Sequence, residues 1–208
     1  ATPVAIQLLT PPTAGVFGDE LAYTARLVTS SGQAVANAGL EFSLQGQSVK
    51  ATTGADVTAQ ASFRLLGPTG PGVLQVAYGG STTYSAASTS VGITVAKRDT
   101  LLGLDVPLDP VASGSSWRIV ANLTGSDGGA IAGRPVLITI TGGATAYGQV
   151  ITTDYAGRAI LSGVALPPGA YQVTASFGQA VAVNGQPLDL TDPDYNGGNY
   201  TTQPKSLR

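Results

Sequence analysis

Two stretches, LAYTARLVTSSGQAVANAGLEFSLQG (Leu21–Gly46) and WRIVANLTGSDGGAIAGRPVLITITG (Trp117–Gly142), align without a gap at a constant offset of 96 residues. Leu21, Tyr23, Ala25 and Leu27 fall on Trp117, Ile119, Ala121 and Leu123, while Leu40, Phe42 and Leu44 fall on Val136, Ile138 and Ile140. Apolar residues at every second position mark a strand with one face turned to a core. Between these runs, SSGQAVANAG and SDGGAIAGRP place turn-forming residues at the same point. The chain therefore reads as one β-unit written twice.

The correspondence extends in both directions. KATTGADVTAQASFRLLGPTGPG parallels VITTDYAGRAILSGVALPPG, VLQVAY parallels AYQVTASF, and each half opens with its own strand, VAIQLL or TLLGLDV. That gives about seven short strands per unit with turn signals every 8–12 residues, the count of an immunoglobulin-like sandwich. No stretch carries a helical stripe. The expectation is an all-β chain of two tandem immunoglobulin-like β-sandwich domains, residues 1–97 and 98–208.

The segments TTDYAGRAIL (Thr152–Leu161), LPPGAYQVTASF (Leu166–Phe177) and YGGSTTYSAAS (Tyr78–Ser88) resemble recurring segments of the bacterial immunoglobulin-like (Big) repeats of surface and secreted proteins. The resemblance covers nearly the whole chain, twice. It implies spacers, stalks, adhesin segments or accessory modules, and a fold of this kind fixes none of these by itself.

Composition narrows the chemistry. The 208 residues include 28 Gly and 13 Pro, only 11% are charged, and the formal net charge is −2. Such a chain has no basic field for nucleic acid. No apolar run approaches the roughly 18 residues of a membrane span. Cys, His and Met do not occur. Disulfides, thiolate nucleophiles, zinc–thiolate sites and the usual general base are excluded. An opening ATPVAIQ fits a mature end left by signal removal, or a segment boundary. The expected setting is extracellular or cell-surface, and the expected protein is not an enzyme. Its partners would be neighbouring domains or copies of itself, with surface glycans or receptors as alternatives.

One segment exceeds the repeat. Tyr78 and Tyr84 enclose GGSTT in the first copy, whereas Phe177 and Tyr200 enclose a far longer stretch in the second. The excess, at about 178–198, reads as an extended F–G hairpin turning at Asn184–Gly185, a two-residue hairpin signal. It runs on into DPDYNGG. There D-x-D-x-N-G, from Asp192 through Asp194 and Asn196 to Gly197, matches the first half of a calcium loop. The twelfth position is Gln203 rather than a bidentate Glu, and Asp189 is the residue that could complete the set. Asp189, Asp192, Asp194 and Asn196 are thus the candidate calcium ligands, against an alternative of a plain acidic turn. Asn122 and Asn199 stand in N-x-T sequons, with Asn122 on the outward face of its strand. Trp117 occupies an inward position and reads as core. Tyr147, Tyr155, Tyr195 and Tyr200 are the candidates for a sugar-stacking surface.

If Tyr200 is the counterpart of Tyr84, only TTQPKSLR remains for the last strand, against twelve residues in the first copy. Pro204 cannot donate to a ladder. The expectation is a short or missing final strand and an exposed edge. A continuation past Arg208, the lengthened hairpin, or a strand from another molecule could cover it. TPVAIQLLT at the start is alternating enough to be such a donated strand, which would make the chain a strand-exchanging filament subunit.

Overall fold

The computed structural model describes residues 1–106, 116–142 and 146–202, together with the backbone of 205–207. The chain divides into two compact units, Ala1–Lys97 and Arg98–Arg208. All of the regular structure among the described residues is β-strand.

The first unit contains β1 (Val4–Leu9), β2 (Ala14–Val16), β3 (Glu20–Thr29), β4 (Gly39–Leu44), β5 (Gln47–Thr52), β6 (Ala59–Arg64), β7 (Gly70–Tyr78) and β8 (Ala87–Ala96). They form two sheets, β1-β3-β6 and β2-β8-β7-β4-β5. The alternation read from the sequence sets the inward faces. Tyr23, Ala25 and Leu27 of β3 meet Leu40, Phe42 and Leu44 of β4 and Leu74 and Val76 of β7 in one core. Pairing is antiparallel except for β2, which runs parallel to β8 from Ala14↔Thr94 to Val16↔Ala96.

The second unit repeats the plan with β9 (Thr100–Asp105), β10 (Ser116–Gly125), β11 (Pro135–Thr141), β12 (Tyr147–Thr152), β13 (Arg158–Ala165) and β14 (Gly169–Phe177). After the inserted pair β15 (Ala180–Val183) and β16 (Gln186–Asp189) come β17 (Gly198–Thr201) and β18 (Lys205–Leu207). The sheets are β13-β10-β9 and β12-β11-β14-β17, with β18 also on β14. Trp117, Ile119, Ala121 and Leu123 point into a core with Val136, Ile138, Ile140, Tyr171, Val173 and Phe177. Trp117 stacks edge-on against Tyr171, with ring centroids 6.1 Å apart.

The last strand is short, as expected, but it is not missing. β17 pairs Gly198 with Phe177 through Thr201 with Thr174, and β18 pairs Lys205–Leu207 with Tyr171–Gly169. Two strand segments therefore stand at the place of the last strand, and Pro204 lies outside the described residues. The opening strand, in turn, pairs with β3 of its own unit from Val4↔Thr29 to Leu9↔Thr24, so it is already engaged.

The cause of the misreading is the choice of tyrosine. Thr2 bridges Tyr84 in the first unit, and its counterpart Arg98 bridges Tyr195, not Tyr200, in the second. Counted from Tyr195, the second copy's last strand ends as far downstream as the first copy's.

The phenol oxygen of Tyr23 and the indole nitrogen of Trp117 are buried without a hydrogen-bond partner. Burial lifts the Tyr23 phenol above its ordinary pKa. A hydroxyl that lost its water and gained nothing contributes no stability. Tyr23→Phe is therefore expected to leave urea unfolding unchanged, or to raise stability by up to about 1 kcal/mol. A clear loss of stability would reveal a partner for the hydroxyl.

Candidate functional site

The stretch that departs from the repeat, residues 178–197 against 79–86 in the first unit, begins and ends on two glycines in close contact. Gly178 has φ of +67°, and a methyl built on it would lie 2.6 Å from Gly197 Cα. This turn takes the chain off β14, so β15 and β16 form a two-stranded sheet of their own rather than extending the flanking strands. Asn184 and Gly185 take φ of +51° and +76°, as a two-residue hairpin turn of this kind requires. Val183 reaches Gly148 of β12, where a methyl would stand 2.9 Å from the valine Cγ1. Leu137, beside it on the face of β11 turned away from the core, is only 3% exposed. The insertion therefore packs on a sheet face that carries Glu41, Ser48 and Lys50 in the first unit.

Beyond the hairpin, the acidic loop closes on an arginine. Arg134 sends one guanidinium nitrogen to Asp192 (3.2 Å) and the other to Asp194 (2.9 Å). The guanidinium carbon sits 5.3 Å from the Tyr195 ring centroid, close enough for cation–π attraction. Asp192 is only 5% exposed. Its other carboxylate oxygen accepts the Asp194 and Tyr195 backbone N–H groups at 2.9 and 3.1 Å. Ser81 does the same for Thr83 and Tyr84 in the first unit, so Asp192 is the charged version of a turn cap common to both copies. Burial raises the Tyr195 phenol pKa, against the pull of the Arg134 charge.

Two further candidate calcium ligands are turned to other tasks. Asp189 accepts the Thr191 N–H at 2.9 Å, and this bond holds its carboxyl below the usual carboxylate range. Asn196 donates its side-chain amide to Asp99 at 2.7 Å. Among the described residues no group of three or more Asp or Glu side chains is placed to share one metal ion, and Gln203 lies outside them.

Missed in the sequence were Arg134, Arg98 and Asp99. Arg134 is held at its backbone by Thr153, which accepts its N–H through Oγ1 (3.0 Å). Arg98 pairs with Asp127 at 3.1 Å. Arg134 stands where the first unit has Ala38, a buried small residue; a charge at such a position was the available signal.

The tyrosines do not share one surface role. Tyr147 and Tyr195 pack against the second core, Tyr155 is 88% exposed on the β12–β13 turn, and Tyr200 is half-exposed on β17. Both sequon asparagines are exposed, and Asn199 accepts a hydrogen bond from Gln179.

These units are immunoglobulin-like β-sandwiches, and solved structures share the fold. The crystal structure of a tetra-tandem repeat in the extending region of a large adhesion protein matches over 100% of this chain and 49% of its own, at 18% identity and a TM-score of 0.52. The chain thus spans about half the length of that solved chain. Weaker matches include the D0–D1 domain of intimin, with 16% identity, 98% and 96% of the two chains covered, and a TM-score of 0.34. No family model and no curated protein matches the chain.

Proposed function

We propose that the chain is a non-enzymatic spacer, a segment of an extracellular adhesin or stalk that sets distance rather than chemistry. The observation that carries this reading is one hydrogen-bonded framework laid down twice. In each copy the residue two before the first strand is bridged to that copy's own closing loop, Thr2 to Tyr84 and Arg98 to Tyr195. The strand framework ends at Ala96 and resumes with the bridged Arg98, so one residue, Lys97, separates them. The parallel β2–β8 pairing of the first unit is arranged so that a pull along the chain would load it in shear. The likeness to an adhesin's extending region agrees with the spacer reading.

The test is a swap in the surface protein that carries the segment. Replacing residues 1–208 with an unrelated two-sandwich spacer of like length should preserve display and adhesion, and deleting them should weaken adhesion. Loss of adhesion on the swap, with display intact, would sink the reading, because these surfaces would then be the binding element.

A further inference from the structure

Arg98–Thr100, the segment by which the chain enters the second unit, is tied to the short stretch 194–196 on one side. Arg98 N–H donates to the Asp194 carbonyl (2.9 Å), and Asn196 N–H donates to the Arg98 carbonyl (2.8 Å). Asn196 Nδ2 donates to Asp99 Oδ1 (2.7 Å), and Thr100 Oγ1 donates to the Asn196 carbonyl (2.7 Å). A second side holds through Ser126 N–H on the Asp99 carbonyl and the Arg98–Asp127 pair. The 194–196 stretch has little regular structure of its own. Its position is set by the turn beginning at Asp192, and both carboxylates of that turn rest on Arg134.

The first unit supplies the comparison. Thr2 makes the same backbone bridge, to Thr83 at 2.7 Å and from Ser85 at 3.0 Å. The positions of Arg134, Asp192 and Asp194 there are Ala38, Ser81 and Thr83, which carry no charge.

We propose that Arg134 is the latch of this strap. The entry segment stays fastened to the second unit only while the guanidinium holds Asp192 and Asp194 together, and the first unit is the unlatched form of the same device. The inference does not depend on the spacer reading, since it concerns contacts within one unit. A guanidinium is suited to the task because its planar fork reaches two carboxylates at once while its face lies over a ring.

Amide hydrogen exchange on the full chain tests it. Arg134→Ala should speed exchange of the Arg98 and Asn196 amides roughly tenfold or more, while Thr2, Ser85 and the β14 core amides keep their rates. Arg134→Lys should fall between, because one ammonium cannot fork across both carboxylates. Tryptic cleavage after Lys97 should follow the same order. Asp194→Asn, which removes one arm, is the fallback if the alanine variant fails to fold, and a smaller acceleration at the same two amides would support the latch. Unchanged Arg98 and Asn196 amides would overturn it, since the backbone bridge would then suffice. Uniform acceleration across the second unit would overturn it too, since Arg134 would be a general stabiliser.

Discussion

Gly178→Ala should destabilise the second unit by about 3 kcal/mol or more, and Gly197→Ala by about 2–3 kcal/mol, while Gly198→Ala, one residue on, should be nearly silent. The difference lies in what a methyl group would meet. At Gly178 it would stand 2.6 Å from Gly197 Cα, on a backbone with φ of +67° that side chains rarely adopt. The left-handed conformation alone costs a non-glycine residue about 1–2 kcal/mol. At Gly197 the methyl would stand 2.5 Å from the Gly178 carbonyl oxygen. Backbone cannot swing aside as a flexible side chain can. At Gly198 the nearest atom is Thr100 Oγ1 at 4.0 Å, an ordinary contact. Calorimetry of the whole chain reads all three. The second unit's transition should drop by on the order of 10 °C for Gly178→Ala, with the first unit's transition in place. Equal melting of the Gly178 and Gly198 variants would mean that the hairpin leaves the sheet by some other path.

This crossing also shows where the sequence stops being readable. The strands and their inward faces were legible, because a side-chain period of two is imposed by the pleat and both copies obey it. Tyr23, Phe42, Ile119 and Ile138 are buried as their spacing requires. The partner of Tyr84 was not legible. YNGGNY offers two tyrosines, and what distinguishes them is a parallel backbone bridge, which leaves no mark on side-chain pattern. A subtler sign was present. Ser81 stands three residues before Tyr84 and Asp192 three before Tyr195, each capping the turn with a side-chain oxygen. The acidic loop's protein partner was hidden for a related reason. Alternating Asp and Asn look like ligands waiting for a cation, and the cation facing Asp194 belongs to a residue 60 positions earlier. Local spacing reports which groups want a positive charge and is silent on who supplies it.

Thr53→Val and Thr153→Val should each cost about 2–4 kcal/mol, each in its own unit, although valine nearly matches threonine in shape. Both threonines end the Thr-Thr run shared by the two copies, and both are buried, at 0% and 4% exposed. Thr53 Oγ1 donates to the Val35 carbonyl (2.8 Å) and accepts the Ala38 N–H (2.9 Å). Thr153 Oγ1 does likewise with the Ile131 carbonyl (2.8 Å) and the Arg134 N–H (3.0 Å). One hydroxyl thus satisfies a donor and an acceptor in the connection between β3 and β4, or β10 and β11, where no strand partner is at hand. Valine would strand both groups in a dry site, and each orphan costs about 1–3 kcal/mol. Thr52 and Thr152, exposed on the opposite face, should tolerate valine within about 0.5 kcal/mol. Serine at 53 should retain most of the stability, since it keeps the hydroxyl and loses only a methyl. Urea titrations should show midpoints shifting at constant slope, with the affected unit alone responding. The second unit carries an added consequence, because Thr153 fixes the backbone from which Arg134 reaches its carboxylates. Thr153→Val should therefore also loosen the Arg98 amide, an effect with no counterpart at Thr2 in Thr53→Val. If both valine variants unfolded like the parent, the hydroxyl bonds would not be what holds these connections in place.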